Sequence, residues 1–144
     1  ERPNTGMAVS YDVGHKTDVH PKKKWIIGER LSKIALSKNY NFDTTYSGPL
    51  FDFVNVNDNT LEVHFKHSED LKTLNNDSVK DIFIANSDKV FIPAKTKIVN
   101  NKLVVWSPEI QNPRFVKYGY TSFSDGNLTN GSGLPASTFS NSSQ

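Results

Sequence analysis

The chain contains no cysteine. A disulfide framework, a thiolate nucleophile and a cysteine-ligated metal are therefore all excluded. Long apolar runs are missing too, and nothing approaches the ~18 residues of a membrane-spanning helix. Charge of one sign is not in excess: Lys and Arg number 17 against 15 Asp and Glu. This near balance gives no electrostatic ground for a nucleic-acid or anionic-membrane partner. The short basic cluster Lys22-Lys23-Lys24 reads as a solvated first turn of a helix. A Gly-x-Ser-x-Gly nucleophile elbow is absent, because Gly131-Ser132-Gly133 has the wrong spacing. The four histidines, His15, His20, His64 and His67, form no metal pattern, since no second carboxylate-histidine pair accompanies any two of them.

What is present divides into two parts. Met7 to Val13 is rich in apolar and β-favouring residues and reads as a buried strand, punctuated by Gly6 and Gly14. From Pro21 to about Lys38, Ile27, Leu31, Ile34 and Ala35 recur at helical spacing, with Ile26 and Leu36 widening the stripe and Lys23, Glu29, Arg30, Lys33 and Lys38 on the remaining surface. Trp25 reads as a packing anchor. Such a strand, loop and helix look like the remnant of an α/β layer, which exposes an apolar face unless a partner covers it.

After Asn39-Tyr40-Asn41 the helix formers give way to short β-branched and aromatic runs separated by Asn, Asp, Thr and Gly. Leu50 to Val56 and Leu61 to Lys66 form a predicted hairpin turning at Asn57-Asp58-Asn59, and Leu61, Val63 and Phe65 alternate with Glu62, His64 and Lys66. Further strands are expected at Asp81 to Ala85, Val90 to Pro93, Lys97 to Val99, Leu103 to Trp106 and Phe115 to Thr121, with a tight turn at Asn100-Asn101. That makes about seven short strands with no second helix, the pattern of an antiparallel β-sandwich or roll. Ser68 to Lys80 is polar and reads as a loop. Aromatic residues of this region, Phe51, Phe53, Phe65, Phe83, Phe91, Trp106, Tyr118 and Tyr120 among them, are expected in the core. The fold class is thus mainly β, with residues 1–45 as the strand, histidine loop and helix, and residues 46–144 as the antiparallel β-domain with its terminal tail.

The chemistry centres on Asp18-Val19-His20-Pro21. An imidazole titrates near ~6.5 when unperturbed and so can accept and return a proton at neutral pH. In an extended backbone residues i and i+2 project to one side, which lets the Asp18 carboxylate meet the His20 ring, fix its tautomer and stabilise its protonated form. Pro21 suits the first helical position and would leave His20 at or beside the helix cap. The bland alternatives are a capping histidine and a capping aspartate.

Gly6-Met7-Ala8-Val9-Ser10-Tyr11-Asp12-Val13-Gly14, Asp18-Val19-His20-Pro21, Lys24, Gly28, Arg30-Leu31 and Ala35-Leu36 together resemble the C-terminal block of sialate O-acetylesterases, carbohydrate esterases of the SGNH-hydrolase superfamily. The likeness resumes at Tyr46-Ser47-Gly48-Pro49, Asp125-Gly126-Asn127-Leu128, Asn130, Gly133-Leu134-Pro135-Ala136 and Phe139. It implies that His20 is the general base acting on a serine, with Asp18 as its orienting carboxylate. The wider superfamily places that carboxylate three residues before the histidine, where this chain has Thr17. It also implies an O-acetylated sugar as substrate, no metal or organic cofactor, a periplasmic or extracellular location, and a terminal segment pinned along the domain, with only Asn141 to Gln144 fraying. The family's Gly-Asp-Ser nucleophile block is not in this sequence, and the chain begins at Glu1. The expectation is a C-terminal fragment whose partner is the missing N-terminal part of the esterase, and which is inactive alone. The alternative is a non-catalytic glycan-binding or structural accessory β-domain.

Overall fold

A computed structural model describes residues 5–142. In chain order its elements are a 3-10 turn at Tyr11–Val13, helix α1 (Lys24–Tyr40), strands β1 (Leu50–Asn57), β2 (Thr60–Lys66) and β3 (Lys72–Thr73), a 3-10 turn at Leu74–Asn76, and strands β4 (Ile82–Ala85), β5 (Ile92–Pro93), β6 (Lys95–Val99), β7 (Lys102–Trp106), β8 (Phe115–Tyr118), β9 (Leu128–Thr129) and β10 (Phe139–Ser140). Every pairing is antiparallel. One four-stranded sheet runs β1-β2-β7-β6, a second runs β10-β8-β4-β5, and β3 pairs with β9. The fold is mainly antiparallel β with one helix, as the alternation predicts.

The alternating residues explain the layers. Leu61 and Val63 of β2 and Leu103 and Val105 of β7 point to one side of the first sheet. Ile82 and Ile84 of β4 with Val116 and Tyr118 of β8 point to one side of the second. All of them meet in a single core that Leu71, Val79, Ile110, Leu128, Ala136 and Phe139 complete. Two sheets whose inner faces share one core form a sandwich. Turn chemistry closes the hairpins: Asn100 and Asn101 adopt φ of 50° and 59°, left-handed values that asparagine tolerates, and join Val99 to Lys102. Asp58, at φ 48°, does the same between β1 and β2. In β1 the register slips between Phe51 and Phe53, leaving Asp52 as the extra residue of a bulge. Phe51 therefore stacks on Phe139 at the core (5.3 Å), whereas Phe53 stacks on His64 outside (4.2 Å). Phe53 and Tyr120 are exposed, contrary to the expectation of a core position for every aromatic. Edge strands carry the residues that suit edges, Pro93 on β5 and Lys95 and Lys97 on β6.

Several expectations need correction. Met7 to Val13 is not a strand: residues 7–10 are irregular and 11–13 form the 3-10 turn. A strand persists only where a neighbour takes its backbone groups, and here the Val9 carbonyl is taken by a side chain, Arg30. Ser68 to Lys80 is not all loop, since Lys72 and Thr73 pair with Thr129 and Leu128. Pro21 is not the first helical residue. Helix α1 starts at Lys24, because the Asp18 carboxylate takes the His20 backbone N–H at 2.8 Å and commits that stretch to a turn. Asn141 does not fray: its side chain accepts from the Val116 N–H (2.8 Å) and donates to the Arg114 carbonyl (3.0 Å). Ser143 and Gln144 lie outside the described residues.

The segment after Phe123 is pinned, as expected. Asn127 accepts from the Lys80 N–H (3.0 Å) and donates to the Ser78 carbonyl (2.9 Å). Asn130 donates to the carbonyls of Ser47 (3.0 Å) and His67 (3.1 Å) and accepts from the Leu134 N–H (3.1 Å). Gly48 lies against the Leu134 and Pro135 carbonyls, where a Cβ has no room. The short motifs at residues 46–49, 126–130 and 133–136 thus touch one another, and their glycines and asparagines are there to make backbone meet backbone.

Candidate active site

Helix α1 joins the body of the molecule through residue Arg30. Its side chain is buried, and its guanidinium donates to Asp12 Oδ1 at 2.7 Å and Oδ2 at 2.6 Å, and to the Val9 carbonyl at 2.6 Å. A planar two-pronged donor matched to a carboxylate is the strongest neutralisation that two side chains offer each other. Next to it, Tyr11 Oη lies 3.0 Å from Tyr118 Oη, which in turn accepts from the Leu128 N–H at 3.0 Å. Burial holds both phenols above the ordinary tyrosine range, with the neighbouring phenol the next contributor at Tyr11. Both stay neutral and serve as hydrogen-bonding pins.

The histidine loop spans the interval between Asp12 and the helix that carries Arg30, so it is anchored at both ends. Inside it the His15 Nδ1 accepts from the backbone N–H groups of Asp18 (3.1 Å) and Thr17 (3.3 Å), which places the ring proton of neutral His15 on Nε2. Asp18 then folds back on His20. Its Oδ1 takes the His20 N–H and stands 3.5 Å from His20 Nδ1. That distance suits an ion pair and is longer than a made hydrogen bond. The Nε2 of His20 is left free to act on a group outside the loop, and its side chain is 79% exposed. The two predicted site residues are brought together, through a turn and not through the extended backbone expected. Among the described residues no serine hydroxyl hydrogen-bonds to His20.

Sequence reasoning missed Tyr11, Asp12, Arg30 and Tyr118 as the groups that position this loop. It assigned Arg30 to the solvent face of α1, yet Arg30 lies at the centre of the docked face, flanked by half-buried Ile26, Ile27 and Ile34. Leu31, Ala35 and Leu36 of the expected core stripe are exposed instead, and Trp25 is 68% exposed, not an anchor. The available signal was Arg30 itself, a cation flanked by isoleucines at i−4, i−3 and i+4.

Among the described residues no group of three or more His, Asp or Glu side chains is placed to hold a metal, and no helix is long and apolar enough to cross a membrane. His64 is engaged with Glu62 (2.7 Å), whose carboxyl is held below its ordinary range by hydrogen bonds from Lys102 and from His64. His67 meets the edge of the Tyr46 ring at 5.3 Å.

No protein-family model and no curated protein matches the chain. Among solved structures it is similar to a carbohydrate acetylesterase from Xanthomonas citri, with 30% sequence identity and a TM-score of 0.87 over 92% of this chain. The match covers 31% of that protein, so the chain spans about a third of its length.

Proposed function

We propose that this chain is the C-terminal part of a carbohydrate O-acetylesterase of the sialate O-acetylesterase kind, with His20 as general base and Asp18 as its orienting carboxylate. The observation that carries the reading is the similarity to part of a carbohydrate acetylesterase over nearly the whole chain. The loop geometry agrees with it: the His20 side chain is exposed and the Asp18 carboxylate stands 3.5 Å from its Nδ1. On this reading residues 1–45 belong to the esterase layer, residues 46–144 are an accessory β-domain, and the serine comes from a segment outside these residues.

The serine hydroxyl attacks the acetyl carbonyl of an O-acetylated sugar, and His20 Nε2 takes its proton as the C–O bond forms. The tetrahedral intermediate collapses, His20 gives the proton to the departing sugar oxygen, and an acetyl-serine remains. Water, deprotonated by the same imidazole, attacks the acetyl-enzyme, and acetate leaves as the serine oxygen regains its proton. Asp18 keeps Nε2 aimed and favours the protonated ring that each half-reaction produces. The Arg30–Asp12 pair ties the helix that follows the loop to the segment that precedes it.

The test is acetate release from an O-acetylated sialic acid by the full-length protein, with His20→Ala and Asp18→Ala compared at matched folding. Turnover is expected to fall about a hundredfold or more in His20→Ala, as removal of a positioned base does, and less in Asp18→Ala. Unchanged turnover in His20→Ala overturns the catalytic assignment and leaves an accessory domain in its place. Turnover on acetylated xylan but not on the sialic acid keeps the base and replaces the substrate.

A further inference from the structure

Where α1 meets the β-region, away from the His20–Asp18 pair in the chain, lies a cavity of about 340 Å³. Met7, Ile34 and Leu50 are apolar on its wall, and Thr5, Lys38, Tyr46, Ser47 and His67 bring polar groups to it. These come from the N-terminal segment, the helix, the linker into β1 and the end of β2. Junctions between layers are where small-molecule pockets concentrate. For scale, an apolar cavity of about 150 Å³ is enough to bind benzene.

The charge inside is one-sided. No Asp or Glu among the described residues lines the cavity, and none of them lies at ion-pair distance from Lys38. The Lys38 ammonium instead rests over the Tyr46 ring, 5.3 Å from its centroid, and His67 meets the same ring with its centroid 5.3 Å away. A cation over a ring at a half-open site keeps an interaction of only ~0.5–1 kcal/mol, weaker than a charge-assisted hydrogen bond to an anion. Ser47 spends its hydroxyl proton on the Gly48 carbonyl and so presents an oxygen, not a donor, to the cavity. The Lys38 ammonium and the His67 ring both lie against the Tyr46 ring, where one anion can meet the two of them.

We propose that this cavity binds a small amphiphilic monocarboxylate, its carboxylate on Lys38 beside His67 and its apolar ring or short chain against Met7, Ile34 and Leu50. The chemistry of the wall excludes the alternatives. Among the described residues a dianion or polyphosphate finds one lysine and no second fixed cation, and a cation meets Lys38. The site does not depend on the esterase reading, and either can fail without the other.

The experiment is calorimetric titration of the 144-residue chain with phenylacetate, with 2-phenylethanol as the neutral counterpart and with acetate as the headgroup alone, together with amide shifts at Gly6, Ser47 and His67. Phenylacetate is expected to bind and to shift those amides, with both comparison compounds about tenfold weaker or worse, the factor that one charge-assisted contact supplies. Lys38→Gln is expected to bring phenylacetate down to the level of the alcohol, and Lys38→Arg to restore most of the difference. Equal binding of acid and alcohol, equal binding of acetate, binding insensitive to Lys38→Gln, or no binding at all each overturns the proposal. The ligand comparison is made on the unaltered chain, so the result stands even where a variant is unstable.

Discussion

Arg30 determines how the histidine loop is attached, because its guanidinium meets both Asp12 oxygens and the Val9 carbonyl at once. Both partners of the pair are at least four-fifths covered, so removing one strands the other in a poorly solvated place. Arg30→Met is expected to cost about 3–5 kcal/mol of unfolding free energy, whereas Arg30→Met combined with Asp12→Leu costs less than the sum of the single changes. Chemical denaturation of the four proteins in the cycle measures both quantities, and strict additivity would mean that the two groups act independently. Gly48 makes a different kind of residue-scale demand. Any Cβ there runs into the carbonyls of Leu134 and Pro135, which are backbone atoms fixed by the β9 region and cannot swing aside as a side chain would. Gly48→Ala is expected to destabilise the fold by about 2 kcal/mol or more, in the range of overpacking changes, and a shift of the denaturation midpoint of that size checks it.

The β1–β2 hairpin shows what a single element can reveal. Glu62 receives hydrogen bonds from Lys102 of β7 and from His64 of its own strand, and they hold its carboxyl below the ordinary value of 4.5. A carboxyl whose folded value is depressed contributes stability that is fully present above its unfolded value and is lost as pH falls through the folded one. The melting temperature of the unaltered chain is therefore expected to drop more steeply between neutral pH and about pH 3 than that of Glu62→Gln, the two curves converging at the acid end. Parallel curves would mean that the carboxylate does nothing for the fold. This hairpin was legible because its information is local: alternation of Leu61, Val63 and Phe65 with polar neighbours decides which face is buried, and Asp58 and Asn59 supply the turn. Helix α1 was legible as a helix and not as a docked object. It carries apolar residues on two faces, and the choice between them is made by Asp12, eighteen positions upstream, which only the folded chain brings to Arg30. The same reason hid β3 and β9, a two-residue ladder between segments far apart in the chain, beside which Asn127 holds the backbone of Ser78 and Lys80. The pairing of His20 with Asp18 was visible from spacing alone, whereas the turn that produces it, with His15 accepting two backbone N–H groups, was not.

At the scale of the whole molecule the two parts differ in how completely they bury themselves. The sandwich closes its core with side chains such as Leu61, Ile84, Val105 and Tyr118, which are fully covered. The N-terminal part leaves Val19 at 88% exposure, Trp25 at 68% and Leu31 at 48%, with Leu36, Tyr40 and Phe42 exposed nearby. Leu31 and Leu36 are exposed on the two flanks of the face that carries Arg30, and single exposed apolar residues are ordinary where a group of them along one helix is not. Because these side chains have few contacts to lose, replacing them alters association more than folding. Leu31→Lys with Leu36→Gln is expected to leave the unfolding free energy within about 0.5 kcal/mol of the unaltered chain while raising its solubility limit. A loss of stability comparable to that of a core leucine, about 2–5 kcal/mol, would mean that these side chains are packed in solution, and the docking of α1 through Arg30 would then have to be redrawn.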